Sequence, residues 1–146
     1  MSADWTIVTL GADDYDAVRD LWSQTGLKIR PAGRDSREQF AAQLSSGLQT
    51  VIGARAGERL VGVVLTTHDG RKGWINRLAV HPDCRRQGLG LRLVREAECV
   101  LHDQGLTVIA ALIEDGNTAS LTLFQRAGYA DFTEIHYVTK RENDDV

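Results

Sequence analysis

The distribution of apolar and polar residues predicts an alternation of strands and helices. Apolar residues at period two suit a pleated strand, and a period near 3.6 suits a helix with one buried face. In the first third of the chain, these patterns predict a strand over Trp5–Leu10 and then a helix after a cap at Asp13–Asp14. A loop is predicted over Gly26–Arg34. A second helix follows, which is capped by Asp35 or Ser36 and ended by Gly47.

The middle of the chain changes to short runs rich in β-branched residues, separated by turns that contain glycine. This pattern predicts a meander of three antiparallel strands over Thr50–Ala54, Leu60–Thr67 and Gly73–Val80. A helix is predicted over Gly88–Gln104. The strand predicted over Thr107–Ile113 is apolar on both faces, so we expect it to be buried.

The end of the chain predicts a short helix over Ser120–Ala127, a last strand over Asp131–Thr139 and a fraying charged tail over Lys140–Val146. The strand–helix–strand order around the long helix implies a parallel crossover in a sheet that is otherwise antiparallel. We therefore predict an α+β fold, in which a mixed, mainly antiparallel, twisted sheet is flanked by helices on both faces.

Length and charge narrow the class of protein. The 146 residues fit a single domain spanning residues 1–146. Lys and Arg total 17 against 20 Asp and Glu, so there is no general positive field and we expect no nucleic-acid partner. No apolar run approaches the ~18 residues of a spanning helix, which argues against a membrane protein. The segment Met1–Asp4 lacks the features of a secretory signal and predicts a cytoplasmic protein.

Cysteine and histidine offer no metal chemistry. Cys84 and Cys99 lack CxxC spacing, and the four histidines are scattered. We therefore expect neither a disulfide framework nor a metal site.

The turn between the third meander strand and the long helix has the clearest chemistry. Backbone N–H groups at a helix start have no partner, and Gly88 and Gly90 would let a phosphate approach them closely, beside the charges of Arg85 and Arg86. Leu93 stands where a dinucleotide fingerprint needs glycine or alanine, and no Gly-Lys-Ser/Thr follows, so both common phosphate motifs are excluded. The alternative is that the glycines serve only close packing and the arginines are solvated.

Two motifs follow one another at a defined distance. The first is V-x-P-x-x-R-x-x-G-x-G over Val80–Gly90, and the second is N-x-x-S-x-x-L-F-x-x-x-G-Y over Asn117–Tyr129. In this order, with a helix and a strand between them, they resemble the GNAT superfamily of acyl-CoA-dependent N-acyltransferases over about Thr50–Tyr129. The resemblance implies an acetyl-CoA-dependent N-acetyltransferase.

The resemblance also implies where coenzyme A binds. Amides of the turn would hold its pyrophosphate, the strand before the turn would bond the pantetheine arm and the thioester carbonyl, and residues after the next strand would line the same channel. The residues implied are Arg85, Arg86, Gln87, Gly88, Leu89, Gly90 and Leu91 in the turn, Leu78, Ala79 and Val80 in the strand, and Asn117, Ser120 and Phe124 in the channel. The alternative for an asparagine before a helix is a role as N-cap or turn residue.

The catalytic side chains of many relatives are absent from this sequence. A tyrosine that protonates the thiolate falls at Phe124, and a general-base glutamate of some relatives falls at Trp74. We therefore expect direct attack by the amine in a ternary complex, with the proton removed through water. Candidates for pocket or proton-handling roles are Asn76, Glu114 and Tyr137, for each of which a surface or packing role is the alternative.

The expected acceptor is a primary amine of a small molecule, an amino acid or a protein. The loop between the first two helices is basic, which would attract an anionic acceptor unless the charges are merely solvated. Its charged residues are Lys28, Arg30, Arg34 and Arg37, against Asp35. One strand alone follows the second motif, so the acceptor side is open or is completed by a second copy in a homodimer. The competing hypothesis is a non-catalytic acyl-CoA-binding or regulatory domain.

Overall fold

The structure is a computed structural model that describes residues 4–144. The predictions for Met1–Ala3, and for the last two residues of the charged tail, lie outside the described residues. In chain order the elements are β1 (Thr6–Leu10), α1 (Tyr15–Gln24), α2 (Arg37–Ser45), β2 (Gln49–Ala56), β3 (Arg59–His68), β4 (Gly73–Val80), α3 (Leu89–Asp103), β5 (Ile109–Ala111) and α4 (Thr118–Arg126). No helix in this range is long and apolar enough to cross a membrane.

The five strands form one sheet in the order β1-β2-β3-β4-β5. The pairs β1–β2, β2–β3 and β3–β4 are antiparallel. Strand β5 is parallel to β4, because α3 returns the chain to the end of the sheet at which β4 begins. The sheet is therefore mixed and mainly antiparallel, as the sequence predicts.

Helices cover both faces of this sheet. Neighbouring residues of a strand point to opposite faces, and in β3 these are Val63 and Val64. Val63 belongs to the core cluster that contains Trp22 of α1 and Phe40 of α2. Val64 belongs to the cluster that contains Leu93 of α3. Both predicted layers of helices are confirmed.

The helix caps differ from the prediction in their detail. Ser36 caps α2, because its hydroxyl accepts a hydrogen bond from the Gln39 N–H at 3.2 Å. Asp35 does not cap the helix; its carboxylate is used elsewhere. Asp14 precedes α1 but makes no capping bond to it, since its carboxylate accepts from the Gly11 N–H at 2.8 Å.

The strand predicted over Thr107–Ile113 is shorter and more exposed than expected. Only Ile109–Ala111 pair with β4, and Val108 and Leu112 on either side are about half exposed, at 49% and 56%. An apolar run predicts a strand buried on both faces, but β5 is the last strand of the sheet and has a single neighbouring strand among the described residues.

The prediction of a last strand over Asp131–Thr139 is wrong. We call residues 131–139 the C-terminal segment; among the described residues it forms neither strand nor helix. Between residues 4 and 144, no backbone hydrogen bond outside the regular elements involves this segment. Its large apolar side chains are between 69% and 86% exposed: Phe132, Ile135, Tyr137 and Val138. The segment does alternate apolar and polar residues, but a strand also needs a neighbouring strand to pair with. The free edge of β5 does not pair with this segment.

Candidate active site

A slot opens where β4 and β5 part. The two strands pair only over Gly73–Ile75 and Ile109–Ala111, after which β4 continues to Val80 while β5 ends. The edge of β4 from Asn76 onward therefore has no strand beside it on the β5 side. Such an edge presents backbone donors and acceptors to whatever fills the slot.

A β-bulge marks the point of separation. Val63 pairs with Ala79 and Leu65 with Asn76, so two residues of β4 lie opposite the single residue between them on β3. One of these two is Arg77, which has a positive φ of 49°. A bulge bends the strand that carries it, which fits the departure of β4 from β5 here.

The turn after β4 is an anion cradle. Within residues 4–144, the backbone N–H groups of residues 86–91 donate to no protein acceptor. Arg86 and Gly88 have positive φ angles of 62° and 85°, and Gly88 is the N-cap of α3. A run of unpartnered amides at the positive end of a fifteen-residue helix is chemically suited to a phosphate or pyrophosphate.

The two glycines of the turn have different roles. A Cβ added at Gly88 would meet no atom within 4 Å, so the left-handed backbone is what favours glycine at this position. A Cβ at Gly90 would lie 3.2 Å from the Leu123 side chain. Gly90 therefore allows α3 and α4 to approach closely, which is the packing alternative considered for this turn.

The slot leads into a cavity of about 570 Å³. The predicted site residues that line it are Leu78 of β4, Asn117 at the N-cap of α4, Ser120 and Phe124 within α4, and the candidates Asn76 and Glu114. The cavity thus joins the strand before the first motif to residues of the second motif, whereas Val80 and the predicted turn residues Arg85, Arg86, Gln87, Gly88, Leu89, Gly90 and Leu91 do not line it. Ala79 is buried in the core beneath α1, and Tyr137 is 69% exposed in the C-terminal segment; neither lines the cavity.

Comparison with known proteins decides the family. The model described as "Acetyltransferase (GNAT) family" matches residues 15–129. This chain belongs to the GNAT acetyltransferases. An acetyltransferase of Pectobacterium atrosepticum is 28% identical over 117 residues, which cover 80% of this chain and 82% of that protein.

Solved GNAT structures share the fold. An acetyltransferase from Clostridium acetobutylicum, crystallised with acetyl-CoA, superimposes with a TM-score of 0.76 at 12% identity, covering 93% of this chain and 96% of that one. AAC(6')-Iy, in complex with the bisubstrate analogue CoA-S-monomethyl-acetylneamine, gives a TM-score of 0.78 at 16% identity, covering 94% and 99%. The resemblance and the fold class are confirmed, and the protein is an acyltransferase enzyme.

In this GNAT protein Asn117 is also a helix cap. Its side-chain oxygen accepts a hydrogen bond from the Ser120 N–H at 3.2 Å and so caps α4. The alternative role as an N-cap residue is therefore correct for the Asn117 side-chain oxygen. The amide Nδ2, however, has no hydrogen-bond partner in the described part of the chain and lies on a residue that lines the cavity.

Phe124, at the position where the resemblance implies a tyrosine in many relatives, carries no hydroxyl. Its ring is buried at the cavity wall and packs edge-on against Tyr129, with ring centroids 5.0 Å apart. Tyr129 donates to Glu98 at 2.8 Å, and burial together with this acidic partner raises the pKa of Tyr129 above its ordinary value. Tyr129 therefore keeps its proton at neutral pH. Within residues 4–144, no tyrosine lines the cavity.

The sequence did not reveal the buried ion pair of the cavity. Arg77 donates to Asp35 at 2.8 Å and to the Lys28 carbonyl at 3.1 Å, and its guanidinium lies 5.1 Å from the Trp22 ring centroid. Asp35 also accepts from the Arg30 N–H at 2.6 Å. Burial lowers the pKa of Arg77 and Asp35 opposes that shift. Asp35 and Arg77 are 42 positions apart, and no local pattern links them.

Of the four cations of the basic loop, two face the cavity, Arg37 is paired elsewhere, and Arg30 neither lines the cavity nor forms an ion pair with a described residue. Lys28 and Arg34 line the cavity, and neither is in an ion pair with a described residue. Arg37 instead pairs with Asp16 and lies over the Tyr15 ring, 4.9 Å from its centroid.

Proposed function

We propose that this enzyme transfers the acetyl group of acetyl-CoA to a primary amine on an acceptor that also bears a negative charge. Acetyl-CoA is the cosubstrate. The observation that carries the proposal is the succession of three parts along β4 and the turn after it: a cavity lined by Lys28 and Arg34, the slot beside the second half of the strand, and the anion cradle. We infer that these parts form one path, from a site for a pyrophosphate to a site for a second, anionic molecule.

The cosubstrate fits the chain along this path. The amides of residues 86–91, with Arg85, would bind its pyrophosphate. The free edge of β4 over Leu78–Val80 would bond the pantetheine arm, which carries amides of its own, and the free amide group of Asn117 would add a donor. Ser120 and Phe124 would then form the wall next to the thioester.

The chemistry is a direct transfer. The amine lone pair forms a C–N bond to the acetyl carbon, the C–S bond breaks, and the sulfur leaves as thiolate. Since a thiol has a pKa of about 8.5, the thiolate leaves without an obligatory acid and takes a proton from water. The attacking amine must lose its own extra proton, which also passes to water. Holding the two reactants together supplies most of the rate enhancement.

Two polar groups of the cavity are suited to orient the amine. The Asn76 amide donates to the Thr67 hydroxyl at 3.1 Å, which leaves its oxygen free to accept from an amine N–H. Glu114 is exposed on the cavity rim, and in the described part of the chain its carboxylate has no partner. Asp35, the other cavity carboxylate, is committed to Arg77 and to the Arg30 N–H.

The charge of the cavity favours an anionic group on the acceptor. Arg77 and Asp35 offset each other, so Lys28 and Arg34 face the single carboxylate of Glu114. An acceptor carboxylate or phosphate placed near the two cations gains a charge-assisted hydrogen bond. A polycationic acceptor meets repulsion from the same pair.

The test compares acceptors with and without a carboxylate, with each rate expressed per neutral amine because the carboxylate also raises the pKa of the amine. Acetyl-CoA is first titrated in a thermal unfolding experiment, since a ligand at 100 times its Kd adds about 2.7 kcal/mol of stability. Release of free thiol is then measured with amino acids and with the corresponding amino-acid amides, which share the amine but lack the carboxylate.

We expect faster release with the acids and loss of that preference in a Lys28→Ala, Arg34→Ala double variant. Equal rates with acids and amides would contradict the anionic acceptor. Binding of acetyl-CoA with no thiol release on any amine would instead favour the non-catalytic acyl-CoA-binding alternative.

A further inference from the structure

One side chain connects the slot beside β4 to the wall of the cavity. Arg77 leaves β4 at the bulge, where the strand parts from β5, and its guanidinium reaches the basic loop before α2. That loop carries Lys28 and Arg34, the cavity cations without an ion-pair partner among the described residues. The backbone of Arg77 therefore lies at the slot, and its side chain ends at the loop that supplies the cations.

The bulge explains why this side chain reaches the loop. Neighbouring residues of a regular strand point to opposite faces, yet Asn76, Arg77 and Leu78 all line the cavity. A bulge changes the direction of a side chain in its strand, and the positive φ of Arg77 lies at this one. The irregular backbone thus directs the guanidinium toward the cavity side of β4.

The guanidinium of Arg77 fixes two points of the basic loop at once. One terminal nitrogen donates to the Lys28 carbonyl at 3.1 Å, and the other donates to the Asp35 carboxylate at 2.8 Å. In the described part of the chain, no other hydrogen bond involves the main chain of Lys28. A planar guanidinium with donors in a fixed fork can hold two partners at a set separation, which the compact ammonium of a lysine cannot do.

Asp35 extends this constraint to the second cation. Its carboxylate also accepts from the Arg30 N–H at 2.6 Å, and its own N–H donates to the Arg30 carbonyl at 3.0 Å, so this part of the loop closes into a compact turn. Arg34 lies within that turn and directly precedes Asp35. Each cavity cation therefore lies at, or next to, a residue that Arg77 contacts.

Arg77 itself is not free to bind an acceptor. Its side chain is 18% exposed, and both terminal nitrogens are engaged by the loop. Asp35 offsets its charge, and the Trp22 ring covers it, with the guanidinium carbon 5.1 Å from the ring centroid. Any effect of Arg77 on the acceptor must therefore pass through the loop.

We propose that Arg77 is a positioning residue, which holds the two loop cations at a fixed distance from the edge of β4. It thereby sets where the anionic group of the acceptor binds relative to the thioester. The inference rests on the proposed function, because it places that anionic group at Lys28 and Arg34. Its physical basis is that a misplacement of about 1 Å between reacting groups can lower a rate by about a hundredfold.

The experiment replaces Arg77 by lysine and uses Arg55→Lys as the matched control. Arg55 makes the same kind of fork away from the cavity, since one terminal nitrogen donates to Asp14 at 3.1 Å and the other to the Glu58 carbonyl at 3.4 Å. Both substitutions keep the positive charge and remove the fork. Arg55→Lys therefore separates the general effect of losing such a fork from an effect on the acceptor. Thermal unfolding of both variants establishes that they are folded at the assay temperature.

The kinetic constants are measured with amino acids and with the corresponding amino-acid amides, at saturating acetyl-CoA. We expect Arg77→Lys to lower kcat/KM for the acids by about tenfold or more, mainly through a higher KM. The amides have no anion for the loop cations to hold, so their kcat/KM should change by less than about twofold. The Kd of acetyl-CoA should also stay within about twofold, because β4 binds it through backbone groups. Arg55→Lys should leave all of these constants unchanged.

A second comparison places Arg77→Lys in the Lys28→Ala, Arg34→Ala background. Residues that act through one another have non-additive effects, so the added substitution should no longer change kcat/KM for the acids. A loss that persists in this background would show that Arg77 does not act through the cations, and the positioning role would be wrong. A similar loss with acids and amides would also overturn it, since a general disturbance of the fold does not distinguish the two acceptors.

Failure of this inference differs from failure of the proposed function. A preference for acids that is present in the wild-type enzyme and intact in Arg77→Lys overturns the role of Arg77 but leaves the anionic acceptor standing. A wild-type enzyme without any preference for acids removes the anionic acceptor, and the positioning role is lost with it. Equal losses in Arg77→Lys and Arg55→Lys overturn the positioning role alone.

Discussion

Arg77 of β4 and Asp35 of the loop before α2 form a largely buried ion pair, with nitrogen and oxygen 2.8 Å apart. The pair ties the loop that supplies the cavity's cations to the strand that lines the slot. Arg77 occupies a left-handed backbone position that costs a non-glycine residue of order 1–3 kcal/mol. Its side-chain contacts with Asp35, the Lys28 carbonyl and the Trp22 ring offset that cost.

We expect Asp35→Ala to lower the free energy of unfolding by about 3 kcal/mol, because it leaves the Arg77 charge buried without its partner. The matched control is Asp16→Ala, which removes the exposed ion pair with Arg37 and should cost less than about 1 kcal/mol. Urea denaturation of both variants measures the difference. Equal effects would mean that the buried pair does not hold the loop.

Gly88→Ala should weaken acetyl-CoA binding by at least about tenfold, because strain at this left-handed N-cap of α3 would displace the unpartnered amides beside it. Gly57→Ala is the control: this glycine of the β2–β3 turn also has a positive φ, of 63°, and no atom near its Cβ position. Both substitutions should cost about 1 kcal/mol of stability from backbone strain. The affinity of each variant for acetyl-CoA is measured by titration. Equal affinities would mean that the pyrophosphate does not bind at the turn that contains Gly88.

Phe124→Tyr should leave kcat unchanged or raise it, because the added hydroxyl lies on a cavity-lining ring and could protonate the departing thiolate. In the mechanism proposed for the wild-type enzyme, water protonates the thiolate. The check is kcat measured as a function of pH, with Phe132→Tyr in the exposed C-terminal segment as the control. A large loss of kcat would show that the Phe124 ring shapes the thioester channel and tolerates no added atom.

Tyr129→Phe should lower stability by about 1.5–3 kcal/mol near neutral pH, the usual contribution of a hydrogen bond to a charged group. The pKa of Tyr129 is raised in the folded state, so its contribution is complete below the unfolded pKa of about 10 and is lost as the pH rises further. The difference in the free energy of unfolding between the wild-type protein and the variant should therefore decrease above about pH 10. Denaturation series at neutral and alkaline pH measure this difference. A difference that stays constant with pH would contradict a raised pKa of Tyr129.

Local patterns predicted those parts of the fold that short-range periodicity governs. The bounds of β4, Gly73–Val80, agree with the sequence prediction because turns flank an apolar run on both sides. The anion cradle was predictable for a similar reason, since a glycine before a helix implies free amides whatever the rest of the fold does.

The failures have in common that they depend on distant partners. The sequence leaves Asp35 and Ser36 as alternative caps, because nothing near Asp35 indicates that Arg77 faces it. The strand prediction for residues 131–139 rested on alternation alone, and alternation does not specify which edge will accept the strand. The early end of β5 was missed because an apolar run does not reveal how many neighbours it has.

The parting of β4 and β5 makes the acetyl donor a structural component of this enzyme. From Asn76 onward, β4 is paired on one side only, so its outward amides should exchange quickly with solvent hydrogen in the free protein. A pantetheine arm bound along that edge would protect them and link the sheet to the turn above it. The free enzyme would open more readily and be degraded sooner, so its cellular lifetime would follow the supply of the donor.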